Sequence, residues 1–282
     1  TTLDVTAVPS IFPLLTASIA EASAQTVLLV TSTYREAEQY AAEVGGLIGE
    51  DDVAYYPAWE TLPHERLSPR ADTVGRRLAV LRRLSGKDEQ PPPRVVVAPI
   101  RSVLQPQVKG LAEMAPVRIT VGETYELGQL LTDLTDAAYN RVDLVERRGE
   151  FAVRGGIVDV FPPTAEHPVR IDFFGDDVDE IRYFTVADQR STGDTLNSVV
   201  CPPCRELLLT PQVRARARQL AMEHPELSDM LARIAEGQAV EGMEALTPVL
   251  VDGLELLVDV LPKGSLILAA SPDLPAVIYN SP

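Results

Sequence analysis

Two neighbouring stretches of the sequence, GEFAVRGG at 149–156 and VRIDFF at 169–174, contain residues suited to molecular recognition. In an extended strand, successive side chains point to opposite faces. In the second stretch this alternation separates Arg170 and Phe174 from the apolar valine and isoleucine positions. In the first stretch it places Arg154 on the polar face. These three side chains are therefore predicted to point away from the core.

An exposed phenylalanine flanked by arginines has the composition of a protein–protein contact. Aromatic residues and arginine are enriched at interface hot spots, and a guanidinium can form two parallel hydrogen bonds with a carboxylate. The alternative is a half-exposed sheet with one stray aromatic, because single exposed apolar residues are common. The pattern alone leaves both interpretations open. The Gly155-Gly156 pair permits a bulge or bend, so the sequence does not fix which residues of the next strand face the core.

Motifs for nucleotide or hydrolytic chemistry are absent from the sequence. No G-x-x-x-x-G-K-[ST] phosphate loop occurs: Lys87 follows a glycine but precedes Asp88, and neither of the two other lysines has the required neighbours. No apolar strand ends in the paired acids that would hold magnesium. No serine stands in a nucleophile elbow, and His64, His167 and His224 are dispersed. The chain is therefore predicted to be non-catalytic, with no cofactor.

Two further clusters have a spacing that metals use. The CPPC stretch at 201–204 resembles a metal-binding or redox pair, but no second cysteine or histidine pair completes four ligands. Its flanks do not predict the helix start that activates a redox cysteine, so we interpret Cys201 and Cys204 as structural thiols in a reducing cytosol. The acids after Gly175 are predicted to form a solvated hairpin loop rather than a metal site. These acids are Asp176, Asp177, Asp179 and Glu180.

The composition predicts a folded cytoplasmic protein with no membrane association. Its 45% hydrophobic and 23% charged residues are typical of globular domains, and no apolar run approaches the ~18 residues that a membrane helix needs. No secretory segment is recognised at the start. The formal net charge of -16 opposes a phosphate-binding surface, so DNA contact is expected to be weak or indirect. A predicted helix at 69–84 carries five arginines, which form either a solvated face or a local contact with DNA or a partner.

The elements that position these residues fall into three segments. Residues 1–117 alternate helices and strands, as an α/β unit with a parallel sheet does. Residues 118–200 begin with leucines at helical spacing and then become strand-rich. Residues 201–282 return to helices and are expected to pack back on the first segment. The predicted helices are 10–24, 33–49, 69–84 with Ser68 as N-cap, one from Leu127, one from Pro211 and one that ends near Gly237; the predicted strands are 26–32, 52–58, 95–98, 150–154, 169–174, 248–261 and 264–271.

Three stretches resemble the amino-terminal, UvrB-like module of the bacterial transcription-repair coupling factors. They are WETLPHERLSPRADTVGRRLAVLRRL, YNRVDLVERRGEFAVRGGIVDVFPPTAEHPVRIDFFGDDVDEIRYFTVADQRS and AEGQAVEGMEALTPVL. The resemblance covers nearly the whole chain. It implies an α/β fold, in which a degenerate RecA- or helicase-like α/β domain carries an inserted mixed α+β second domain and is completed by the returning chain.

The resemblance also implies a function and a partner. In this family the second domain binds UvrA and so recruits nucleotide excision repair to a stalled RNA polymerase; the contacting residues fall on Arg154, Arg170 and Phe174. The chain is then a non-catalytic adaptor, since it lacks the phosphate loop of UvrB and leaves little room for its DNA-clamping hairpin. Its other partners are the remaining polymerase-binding and DNA-translocase domains of the same protein. The alternative is a UvrB-type ATPase that verifies DNA damage, or half of a nucleic-acid motor.

Overall fold

The computed structural model describes residues 8–62 and 65–270. His64 therefore lies outside the described residues, as do the start of the predicted segment 1–117 and the end of the predicted segment 201–282. No helix in these ranges has the length and apolar character needed to cross a membrane. The helices are α1 (Phe12–Ser23), α2 (Tyr34–Ile48), α3 (Ala71–Leu84), α4 (Ile100–Leu104), α5 (Leu127–Asp136), α6 (Pro211–Glu223), α7 (Ser228–Ala235), α8 (Thr247–Leu250) and α9 (Leu257–Val260). The strands are β1 (Val27–Thr31), β2 (Val53–Tyr55), β3 (Val95–Pro99), β4 (Gln107–Val108), β5 (Val117–Thr120), β6 (Asn140–Arg141), β7 (Glu150–Arg154), β8 (Ile157–Val160), β9 (Val169–Phe174), β10 (Asp177–Phe184), β11 (Ser191–Leu196), β12 (Ser198–Cys201), β13 (Leu254–Glu255) and β14 (Leu266–Ala269).

The first of two compact units contains the described residues within 1–59, 76–113 and 254–282. Its centre is a parallel sheet in the order β14-β1-β3-β2. Every residue of β1 and β3 is buried, as expected for strands of a parallel sheet that is covered on both faces. The helices α1 and α2 contribute Ala17, Ala20, Tyr40 and Val44 to the core with these strands. The predicted α/β class with a parallel sheet is confirmed; its RecA-like character stays a prediction.

The second unit contains the described residues within 60–75 and 114–253. It is built on a six-stranded sheet in the order β11-β10-β9-β8-β7-β6, antiparallel except between β6 and β7. Leu130 and Leu134 of α5 pack in one core with Val158 and Ile171 of the sheet. The predicted helix from Leu127 is confirmed, and its leucines define the covered face of the sheet.

Three helices form a separate core within the second unit. Thr210 caps α6 by accepting a hydrogen bond from the Val213 backbone, and Pro211 occupies the first turn, as the sequence predicts. The apolar core includes Leu231 and Ile234 of α7 together with residues of α6 and α8. Residues 201–253 thus lie in the same compact unit as 118–200, and 254–270 are in the first unit. The three-segment domain organisation stays a prediction.

Two local predictions are wrong. Residues 248–261 are not one apolar strand, because they contain part of α8, the short β13 and α9. Ser68 is not an N-cap, because α3 begins at Ala71. The Ser68 hydroxyl instead donates to Glu244 Oε2 at 2.7 Å and accepts from the Gly242 backbone at 3.0 Å. A long-range partner therefore replaces the local cap.

Candidate interaction surface

Two of the predicted contact residues, Arg154 and Arg170, bind the same carboxylate on the face of the six-stranded sheet opposite α5. That carboxylate belongs to Asp159. Asp159 on β8 lies directly opposite Arg170 on β9, and Arg154 ends the neighbouring β7. Arg170 donates from Nε to Asp159 Oδ1 at 2.7 Å and from Nη2 to Asp159 Oδ2 at 2.9 Å. Arg154 Nη2 also donates to Asp159 Oδ2. The three side chains form one ion-paired cluster, which we call the arginine cluster.

Burial differs sharply within the arginine cluster. The Asp159 side chain is 1% exposed, Arg170 is 15% exposed and Arg154 is 47% exposed. Hydrogen bonding to Asp159 raises the pKa of Arg170 and outweighs the opposing effect of burial. The Arg170 guanidinium also lies 5.0 Å from the centre of the Phe184 ring. A carboxylate so far removed from water needs charged partners, and the two arginines provide them.

Phe174 lies on the same face and is 82% exposed. It is the last residue of β9 and pairs with Asp177 across a two-residue turn, in which Gly175 takes a φ of +65° that favours glycine. Val169 and Ile171 on the alternate positions of the strand are buried. The predicted alternation along 169–174 is confirmed, and it leaves a large apolar ring in water.

The pairing of the arginines differs from the expectation. The sequence interpretation made both guanidiniums available to carboxylates of a partner, whereas in the structure both bind Asp159 of the same chain. Sequence reasoning missed Asp159, although one signal pointed to it: an acid inside the otherwise apolar run IVDV. Because the Gly155-Gly156 pair precedes this run, alternation alone could not predict which face of the sheet the Asp159 side chain lies on.

A second ion pair extends the polar face between the arginine cluster and Phe174. Asp172 lies between Arg170 and Phe174 on β9, and it accepts a hydrogen bond from Arg182 Nη2 on β10. Arg182 Nε also lies 3.4 Å from Glu180 Oε2. This face therefore alternates acid and base across four strands, so its charges are largely balanced internally.

Arg154 faces an open depression at the edge of the sheet. The depression has a volume of about 590 Å³ and is lined by Arg141, Val142, Asp143, Val153 and Arg154. Arg141 and Asp143 are exposed. The depression contains two cations and one acid, which suits an acidic side chain of a partner.

The two clusters with metal-like spacing are the cysteine pair and the acids after Gly175; the cysteines are buried, and two of the acids accept hydrogen bonds from the same chain. Cys201 and Cys204 are free and buried, and burial raises the pKa of both thiols, that of Cys201 to about 12. The Asp176 backbone carbonyl accepts a hydrogen bond from the Tyr125 backbone at 2.7 Å, and Asp177 Oδ1 accepts one from the Thr124 hydroxyl, also at 2.7 Å. Among residues 8–62 and 65–270, no group of three or more metal-ligating side chains is brought together.

The arginine-rich helix α3 is not a uniformly charged face. Arg77 is fully buried, with its guanidinium 4.4 Å from the Tyr56 ring centre and Nη1 donating to the Pro57 carbonyl at 2.9 Å. Arg83 is buried as well and donates from Nε to the Pro91 carbonyl at 3.1 Å. Two of the four arginines in α3 therefore support the first unit rather than a nucleic-acid surface.

The class of protein follows from this fold and from a family match over the sheet that carries the arginine cluster. Residues 117–206 match the model described as the UvrB interaction domain. A parallel α/β unit together with this domain defines a UvrB-like α/β protein, as the sequence predicts.

Comparison with curated proteins identifies the more specific relatives. The chain is 53% identical over 260 residues to the transcription-repair-coupling factor of Mycobacterium bovis. The aligned residues make up 88% of this chain and 21% of that relative. It is 30% identical over 273 residues to that of Bacillus subtilis, with 90% and 23% covered. It is 32% identical over 178 residues to that of Escherichia coli, with 63% and 15% covered. The chain is thus confirmed as a relative of the transcription-repair-coupling factors, and it spans about a fifth of their length.

Proposed function

We propose that this chain is a non-catalytic adaptor module that binds UvrA and recruits nucleotide excision repair to a stalled RNA polymerase. The contact surface is the arginine cluster together with Phe174. The relatives are named transcription-repair-coupling factors, and the surface lies within the UvrB interaction domain at 117–206. Polymerase binding and ATP-dependent DNA translocation would belong to the other parts of a full-length protein, since the chain spans about a fifth of its relatives.

The exposure of Phe174 is the observation that carries this proposal. Removing a phenylalanine side chain from water stabilises a protein by about 1.5–3 kcal/mol, and this ring forgoes most of that gain in the isolated chain. Phenylalanine and arginine are both enriched at protein–protein interfaces relative to the rest of the surface. The partially exposed Arg154, on the same face of the sheet, supplies charge-assisted hydrogen bonds that orient an acidic partner surface.

The absence of a catalytic role is supported by the sequence. The stretch from the end of β1 into the first turn of α2, where an α/β phosphate site would be expected, reads TSTYREAE and contains neither glycine nor lysine. Backbone amides of a glycine-rich loop and a lysine are what bind nucleotide phosphates at such a position. The adaptor interpretation is therefore preferred to the UvrB-type ATPase.

Calorimetric titration with purified UvrA tests the proposed surface. The variant is Arg154→Ala with Phe174→Ala, which leaves Arg170 in place so that the buried Asp159 keeps a charged partner. We expect the wild-type chain to bind UvrA and this variant to bind at least ~30-fold more weakly, because each residue is placed as a hot spot. Met222→Ala, which removes another highly exposed side chain on α6, is the matched control and should bind as the wild type does. Equal affinity of all three proteins for UvrA would show that the interface lies elsewhere on the chain.

A further inference from the structure

The arginine cluster has an asymmetry that bears on how the proposed surface works. Arg170 makes two hydrogen bonds to Asp159, and its Nη1 donates to the Gln189 carbonyl at 3.3 Å. Arg154 makes a single hydrogen bond to Asp159 and keeps nearly half of its side chain in water. A guanidinium carries five N–H donors, so most donors of Arg154 remain available.

We infer that Asp159 is a positioning residue for this surface, and that Arg170 acts through Asp159 rather than by pairing with an acid of the partner. In this arrangement Asp159 holds one edge of the Arg154 guanidinium, and the opposite edge is presented to an acidic side chain of the partner. This inference rests on the proposed function, because it specifies how the same surface recognises UvrA.

The charges of the cluster support this division of roles. One buried carboxylate faces two arginines, so these three side chains together carry one net positive charge, and Arg154 is the more exposed of the two cations. Arg170 fixes the carboxylate from the β9 side with the two-bond geometry that suits a guanidinium. A side chain that is already held in its bound geometry loses less conformational freedom on association.

The depression beside Arg154 indicates where the partner's acid would lie. It is lined by Arg154 and by the exposed Arg141 from β6, so two guanidiniums border the same space. Asp143 also lines it and limits the net positive charge. A single carboxylate that enters this depression would meet the unoccupied edge of Arg154.

A double-mutant cycle against purified UvrA tests the inference. We expect Asp159→Asn to weaken binding by about 10-fold, the size typical for the loss of a hydrogen bond to a charged group. In an Arg154→Ala background the same change should weaken binding less than ~2-fold, because the side chain that Asp159 positions is already missing. The inference would be overturned if Asp159→Asn weakened UvrA binding by the same factor in both backgrounds, or if it did not weaken binding in the wild-type background.

A control, a second variant and a second measurement separate positioning from folding. Asp133→Asn removes a carboxylate that accepts a hydrogen bond from Tyr125 on the other side of the same sheet, and it should leave UvrA affinity unchanged. Asp159→Glu keeps the charge and should restore part of the affinity lost in Asp159→Asn. In nuclear magnetic resonance spectra the Arg170 Nε–H signal should be protected from exchange in the wild type and lost in Asp159→Asn. Rapid exchange of that proton in the wild type would overturn the positioning role without reference to UvrA.

Failure of the inference is distinguishable from failure of the proposed function. If Phe174→Ala weakens UvrA binding and Asp159→Asn does not, the surface is correct and the positioning role is wrong. If Phe174→Ala binds UvrA as the wild type does, the surface itself is wrong, and the inference falls with it.

Discussion

Truncation of Phe174 to alanine separates binding from stability at a single residue. The ring is 82% exposed in the isolated chain, so its removal costs the fold little. Full burial of a phenylalanine stabilises by about 1.5–3 kcal/mol, and the buried 18% of the side chain corresponds to roughly 0.5 kcal/mol at most. The thermal unfolding midpoint should therefore shift by only a few degrees.

The same ring has most of its surface left to bury against a partner. If UvrA covers the exposed 82%, the hydrophobic contribution is about 1.2–2.5 kcal/mol, which corresponds to a roughly 10- to 70-fold loss of affinity in Phe174→Ala. The assay is calorimetric titration with UvrA, paired with thermal unfolding of the same preparations. Phe174→Leu retains much of the apolar surface and should lose less affinity than the alanine variant.

Two outcomes would refute this reasoning. An unchanged affinity with an intact fold would show that the ring does not enter the UvrA interface. A large drop in the unfolding midpoint would show that Phe174 contributes to the core, contrary to its exposure.

Three further predictions concern nucleotide binding, the cysteines and the backbone. The isolated chain should neither bind nor hydrolyse ATP in a nucleotide titration, and saturable binding would instead support the UvrB-type ATPase. Cys201 and Cys204 should resist alkylation at pH 8 in the native chain and react after denaturation. Burial raises the pKa of both thiols, that of Cys201 to about 12. The stability that they contribute should therefore be lost as the pH rises above their unfolded pKa of ~8.5, which urea unfolding at increasing pH would follow. Gly242→Ala should destabilise the fold by ~1–3 kcal/mol, because the added Cβ would lie 2.4 Å from the Arg66 backbone and the φ of Gly242 is +74°. Gly46→Ala in α2 should stabilise the fold by ~0.5–1 kcal/mol, because an added Cβ would meet nothing within 4 Å. Equal thermal unfolding midpoints for the two variants would contradict this account.

Local signals in the sequence account for much of the first unit. Thr33 and Glu36 form a reciprocal capping box at the start of α2, and this motif is readable from residue types three positions apart. Unbroken apolar runs identified β1 and β3 as buried parallel strands. The run at 248–261 misled because a short apolar stretch does not distinguish a strand from a buried helix without its three-dimensional neighbours.

The sequence by itself determined the α/β class, the outward facing of Arg170 and Phe174, and the lack of a phosphate loop. These properties follow from residue types and from the two-residue period of a strand, which are local. Only the tertiary structure decided which charges the arginines meet. Asp159 lies 11 residues from Arg170 in the sequence, and the antiparallel register of β8 and β9 brings them together; it also buries Asp159 and leaves Arg154 half in water. Partners across strands are set by register and burial, which no local pattern in the chain encodes.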